Sequence, residues 1–155
     1  MTKENRDEDD VDDVEDGATM RRGETALHHD FGTDIALNAG NALYFFPLKI
    51  VARNPGDLDA ETRLALYEML MHELNRTHLG QGMDIQWHNE REIRMTEAQY
   101  LEMCACKTGC LGRIVARLAA ILTGQSEEAE RHAARYAELM SISFQIGDDI
   151  LDVET

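Results

Sequence analysis

Two short aspartate strings stand near opposite ends of this 155-residue chain: Asp12-Asp13-Val14-Glu15-Asp16 and Asp148-Asp149-Ile150-Leu151-Asp152. On a helix, the first and last aspartates of each string lie four residues apart on one face, where like charges oppose helix formation by roughly 0.2–0.5 kcal/mol per pair. A divalent cation between them reverses that sign. Oxygen-only ligands of this kind suit Mg2+, which takes one or two carboxylates and completes its octahedron with water and phosphate oxygens. The two settings differ. Asp12–Asp16 continues an acidic tract, where a solvated run is the ordinary reading. Asp148–Asp152 interrupts an apolar helix that begins SISFQIG at residue 141, where three carboxylates need a reason to face inward.

Arg21-Arg22-Gly23 follows the first string. Guanidinium forks match phosphate oxygens in bidentate geometry, although an isolated arginine pair is usually a surface feature. In order along the chain stand carboxylates for a metal, arginines for a phosphate and a second carboxylate set. That order fits chemistry on a Mg2+-diphosphate. Cys104, Cys106 and Cys110 have the spacing of a partial metal site, but on a helix Cys104 points away from the other two and no fourth ligand lies nearby. They read as packed free thiols. His28 and His29, just past Arg22, could be read as metal ligands or as structural residues.

The elements that must position these groups are helical. Residues 33–53 are mostly apolar, as for a helix buried on several sides, with Pro47 ending or kinking it. Asn54-Pro55-Gly56-Asp57 is a turn, after which Asp57 or Asp59 caps the next helix. Residues 59–88 place Leu64, Tyr67, Leu70, Met71 and Leu74 at three- and four-residue spacing, an amphipathic pattern. Gly80 and Gly82 cost this helix about 1 kcal/mol each relative to Ala, so a close neighbour is expected there. Thr96 with Gln99 forms a capping box opening a third long helix that ends near Gly124. Ser126 caps a fourth, with Glu127 and Glu128 favourably placed against its dipole. No segment alternates as a strand does, and the predicted fold class is all-α.

The formal net charge is −15, which argues against nucleic acid or an anionic membrane surface as partner. Nine acids and two bases fall within residues 1–16. With only 2 prolines and no linker-like tract, a single domain is expected, long enough to bury roughly 70% of its unfolded surface. There is no run of about 18 apolar residues and no secretory leader pattern. The expectation is a cytoplasmic protein that does not span a membrane.

Five stretches then resemble the trans-isoprenyl diphosphate synthases, or polyprenyl synthetases, in family order: DDVEDGATMRRG at 12–23, NAGNALYFFPL at 38–48, GQGMDIQW at 80–87, MTEAQYLEMCACKTG at 95–109 and FQIGDDILD at 144–152. The resemblance implies an isoprenoid-synthase-type helical bundle that condenses isopentenyl diphosphate with an allylic diphosphate to give a longer isoprenyl diphosphate. It implies up to three Mg2+ ions. Asp12, Asp13 and Asp16 would hold two and Asp148 a third, with Asp149 and Asp152 supporting that site. Arg21 would contact the allylic diphosphate and Arg22 that of isopentenyl diphosphate. Lys107 and Thr108 match the family's Lys-Thr pair beside the allylic diphosphate, and Gln145 matches the Gln near the homoallylic substrate. Gln81 and Asp84 match its Gln-x-x-Asp on the central helix. Tyr44, Phe45 and Phe46 would shield a carbocation or, as is commoner for such a run, belong to the core.

Family chains extend further at both ends, so residues 12–155 are expected to form the central helices of the fold, preceded by an irregular acidic tail over 1–11. Product length is not legible. A homodimer or association with a full-length homologue is expected. The alternative is a catalytically inactive fragment or a subunit-like binding protein of the same family. A helical terpene cyclase fits less well, because the second motif is a full DDILD and RRG follows the first.

Overall fold

The computed structural model describes residues 9–15, 17–21, 23–89 and 94–154. It divides into two compact units, Met1–Arg53 and Asn54–Thr155. The division falls at the Asn54–Asp57 turn. Both end residues of that turn adopt φ of 49°, tolerable because short polar side chains bond locally in the left-handed region. The Asn54 side chain accepts from Leu58 N at 2.8 Å and donates to Leu58 O at 2.9 Å.

The first unit contains α1 (Asp9–Glu15), α2 (Leu27–Phe31), α3 (Thr33–Leu43) and α4 (Phe46–Arg53). Between α1 and α2 a two-residue ribbon, β1 (Met20–Arg21) against β2 (Glu24–Thr25), pairs antiparallel. The expectation of no strand is corrected by this ribbon, which is too short to alternate visibly. Helix α1 lies on α3 at Gly40, where a Cβ would collide with the Val11 side chain.

Residues 33–53 depart from their sequence reading. Tyr44 and Phe45 form a turn that separates α3 from α4, with Pro47 in the first turn of α4 as its fixed φ favours. The stretch Thr33–Arg53, taken end to end, is long and apolar enough to cross a membrane, a property that scanning for an unbroken apolar run does not register. It is not buried on several sides. Helix α3 buries Ala36 and Gly40, α4 buries only Val51, and Ile35, Phe45, Phe46 and Ile50 are more than half exposed. The aromatic run is therefore not core. The break at Tyr44 leaves each short helix one narrow packed stripe.

The second unit contains α5 (Ala60–Asn89), α6 (Glu97–Lys107), α7 (Gly109–Leu122) and α8 (Glu127–Glu154). The capping box forms as read, with Gln99 N donating to Thr96 Oγ1 and Thr96 N to Gln99 Oε1 at 2.9 Å. Ala129 N donates to Ser126 Oγ at 3.3 Å at the start of α8, and Asp59 Oδ1 accepts from Thr62 N at 2.7 Å at the start of α5. The third long helix is in fact two. They part at Thr108, whose φ of −102° departs from the helical value and which stands in a Thr-Gly step of poor helix propensity. Leu66, Met69, Leu70, Met103 and the free thiols Cys104, Cys106 and Cys110 make the core. Burial pushes the Cys104 and Cys110 thiols up from their ordinary value. Gly80 lets α5 meet α6 backbone to backbone: a Cβ there would lie 2.7 Å from Cys106 C and from Lys107 Cα. Gly82 has nothing within 4 Å, contrary to expectation.

The most deeply buried polar group is Glu73, 2% exposed. Its Oε2 accepts from Arg113 Nε at 2.9 Å and its Oε1 from Arg117 Nη1 at 3.1 Å. Burial by itself would raise this carboxyl, but the two guanidinium groups outweigh burial and hold it below its ordinary 4.5. A carboxyl depressed on folding stabilises the native state above its unfolded pKa, and that contribution is lost as pH falls through the folded value. Thermal unfolding followed by circular dichroism should therefore fall as pH drops below about 4.5, and Glu73→Gln should flatten part of that acid limb. An unaltered acid limb in the variant would assign the acid sensitivity to other carboxylates.

Candidate functional site

In the second unit the sequence-predicted polar residues meet where α5, the α6–α7 junction and the last turns of α8 come together. Asp84 extends from α5 and receives Lys107 Nζ at 2.6 Å. Gln81 lies one turn earlier, half-buried. The next residue after Lys107 turns to a different helix: Thr108 Oγ1 donates to Gln145 Oε1 at 2.7 Å. Gln145 Nε2 in turn donates to Asp149 Oδ1 at 2.7 Å. Asp149 Oδ2 accepts from the Tyr100 hydroxyl.

Tyr100 is the member that sequence reasoning missed. Its signal was its spacing, since positions 100, 104 and 107 fall on one face of α6. Burial, and then the Asp149 carboxylate, push its hydroxyl well above the ordinary 10.0 of a tyrosine. It therefore stays a donor through the physiological range. The result is a directed chain in which Thr108 and Tyr100 fix the two ends and the rotamers of Gln145 and Asp149 are held between them.

Asp148 differs from its neighbour. It is half-buried and makes no hydrogen bond or ion pair among the described residues. A half-buried carboxylate without a cationic partner favours a bound cation, because desolvation has weakened its hydration. The donors at this end of α8 are carboxylate oxygens, the set that suits Mg2+ with water and phosphate oxygens completing the shell. In donor type the residues fit Mg2+: Asp148 is the carboxylate left open, and Asp149 is positioned by two donors. Among the described residues no three His, Cys, Asp or Glu side chains converge on one point. The Asp152 side chain lies outside those residues.

In the first unit, α1 carries Asp12 and Asp13, and Asp13 is only 3% exposed. Its carbonyl accepts from Ala18 N at 2.9 Å, closing the turn after the helix. The Asp12 and Arg21 side chains, and Asp16 and Arg22 altogether, lie outside the described residues; Arg21 contributes its backbone to β1. His28 and His29 stack in α2 with ring centroids 4.3 Å apart.

The helical second unit carries Lys-Thr on one helix junction and Gln and paired Asp on a facing helix, and superpositions on solved structures show an isoprenoid-synthase-type fold. A geranylgeranyl pyrophosphate synthetase from Pyrococcus horikoshii superposes with a TM-score of 0.84 at 29% identity, over 92% of this chain and 42% of that one. The geranylgeranyl pyrophosphate synthetase of Geoglobus acetivorans gives a TM-score of 0.83 at 33% identity, over 93% and 46%. The polyprenyl synthetase family model matches residues 11–155. The chain belongs to the polyprenyl synthetase family. Geranylgeranyl pyrophosphate synthase 2 of Zymoseptoria tritici is 35% identical over 139 residues, 90% of this chain and 39% of its own length. The chain thus spans about two fifths of the length of such relatives.

Proposed function

We propose that this chain carries the diphosphate-handling core of a prenyltransferase, which joins isopentenyl diphosphate to an allylic diphosphate such as those of geranylgeranyl pyrophosphate synthases. The observation that supports it most is the run Thr108–Gln145–Asp149–Tyr100 beside Asp148, which has no partner among the described residues, with Lys107 held on Asp84 one residue away. Mg2+, held by Asp148 here and by Asp12, Asp13 and Asp16 in the first motif, would act as a Lewis acid on the leaving diphosphate. Asp149 and Asp152 support the second of these sets. Lys107 and Arg21 place positive charge against the allylic diphosphate, which stabilises the anion as its carbon–oxygen bond breaks. Arg22 and Gln145 orient isopentenyl diphosphate so that its double bond attacks the resulting carbocation, and loss of a proton then completes the condensation. Gln81 and Asp84 line the substrate side of α5, with Asp84 fixing the Lys107 ammonium.

The test is a radiolabel assay with isopentenyl and farnesyl diphosphates, with and without Mg2+. Product should form only with Mg2+, and Asp12→Ala/Asp148→Ala should lower its rate by at least the roughly 10–100-fold that loss of an outer-shell partner costs. The second reading, a subunit-like protein, draws on the coverage of two fifths and on the more than half exposed Met140, Phe144, Ile150 and Leu151 of α8. Absence of product, together with co-purification of a full-length homologue, would overturn the first reading in favour of the second.

A further inference from the structure

A separate cavity of about 270 Å3 opens between α5, α7 and the first half of α8, and five of its lining side chains are Arg76, Arg113, Arg117, Arg131 and Arg135. It shares no lining residue with the candidate site, although Arg76 and Arg113 reach Cys106 and Ala105 on α6, the helix that ends in Lys107. Glu73 and Asp84 on α5, and Glu138 and Asp149 on α8, are eleven residues apart, about 16 Å of helix axis in each case. The same cavity contains three carboxylates, Glu73, Glu130 and Glu138. All three are already matched by arginine. Glu73 takes Arg113 and Arg117, Glu130 takes Arg117 at 2.7 Å, and Glu138 takes Arg113 and Arg135. Five guanidinium groups against three carboxylates leave a surplus of two positive charges, on a chain whose formal net charge is −15.

The surplus resides on identifiable side chains. Among the described residues Arg76 has as its acceptor only the Cys106 sulfur at 3.7 Å, a weak one. Arg131 has no hydrogen-bond or ion-pair partner among the described residues. Glu127 and Glu128, one turn before Arg131, are exposed and do not line the cavity. Arg113, 6% exposed, forms the floor, and the carboxylates it shares, Glu73 and Glu138, also hold Arg117 and Arg135 in place. Guanidinium forks presented by Arg76 and Arg131 over such a floor match tetrahedral phosphate oxygens in bidentate geometry. Arg131 is exposed and Arg76 half-buried, so a ligand reaches both from solvent.

We infer that this cavity is a second anion site, which takes a phosphate-class oxyanion of two or more charges through Arg76 and Arg131, independently of Mg2+ and of the aspartate motifs. This inference does not rest on the prenyltransferase reading. The experiment is calorimetric titration of the full chain with inorganic diphosphate in EDTA, at constant ionic strength set with sodium chloride. One saturable site is expected. Its affinity should fall at least tenfold in Arg76→Gln/Arg131→Gln, whose circular dichroism should match the parent because neither residue has an ion pair among the described residues, and should be unchanged in Lys107→Met. Retained affinity in the double arginine variant, loss in Lys107→Met instead, or no saturable binding would overturn the site. An arm with adenosine 5′-diphosphate separates two sources of the same chemistry: binding as tight as that of diphosphate supports an esterified ligand, and binding of the inorganic ion alone supports a free one.

Discussion

Arg113→Met should lower the unfolding free energy by about 3–5 kcal/mol, the usual cost of removing one partner from a buried ion network. Arg113 donates to Glu73, to Glu138 and to Ala105 O at 3.1 Å. Burial depresses its pKa, but the two carboxylates outweigh burial and raise it, so the guanidinium is firmly charged. Its removal leaves Glu73 with the single guanidinium of Arg117 and Glu138 with that of Arg135, whose side chain is 63% exposed. A carboxylate that is 2% exposed cannot recover water, so the desolvation it suffered on folding goes uncompensated. A domain of this kind has only about 5–15 kcal/mol in total, so the variant should melt far below the parent. Urea denaturation followed by circular dichroism measures the loss. The triple variant Glu73→Leu/Arg113→Met/Glu138→Leu should recover much of it, since apolar replacement of a whole buried network is often neutral. A single variant as stable as the parent would show that water reaches the network.

Gly80→Val should be the most damaging change on α5 that alters no charge. An added Cβ would lie 2.7 Å from Cys106 C and from Lys107 Cα, and backbone atoms cannot swing aside as a side-chain tip can. Helices α5 and α6 must separate, at a cost of about 1–3 kcal/mol for overpacking, or more where both neighbours are main chain. Lys107 would also move off Asp84, so activity should fall more than stability alone accounts for. Gly82→Ala, two residues away, meets nothing within 4 Å. It should instead stabilise by up to about 1 kcal/mol through helix propensity. Thermal melts of the two variants should move in opposite directions; a shared direction would refute the close approach at Gly80.

Local rules carried most of the element boundaries. The Thr96–Gln99 box, the Ser126 cap, the Asp59 cap and the break near Pro47 each follow from a side chain bonding to, or blocking, backbone within four residues. Of the candidate site, Asp84, Lys107, Thr108, Gln145 and Asp149 were legible through the family motifs, and the structure brings them together. What escaped reading depended on contacts distant in sequence. Tyr100 reaches Asp149 across 49 positions, and its local mark, a helix face shared with Cys104 and Lys107, does not name that partner. Arg113 and Glu73 look like ordinary charged helix positions, and only a third helix reveals that both are buried. The ribbon at Met20–Thr25 offers two residues per strand, fewer than any alternation needs.

The junction between α6 and α7 also bears on how such a chain can change in length. Lys107 and Thr108 are consecutive, yet one is bonded to α5 and the other to α8. Inserting a single residue between them would rotate everything beyond by about 100° and advance it about 1.5 Å, one helical step. Thr108 would then no longer face Gln145, and both bonds could not be kept together. Insertions and deletions are thus forbidden at this point. They remain tolerable at the exposed Gly124–Ser126 connection, where Gly124 already adopts a φ of 64° and no site residue depends on register.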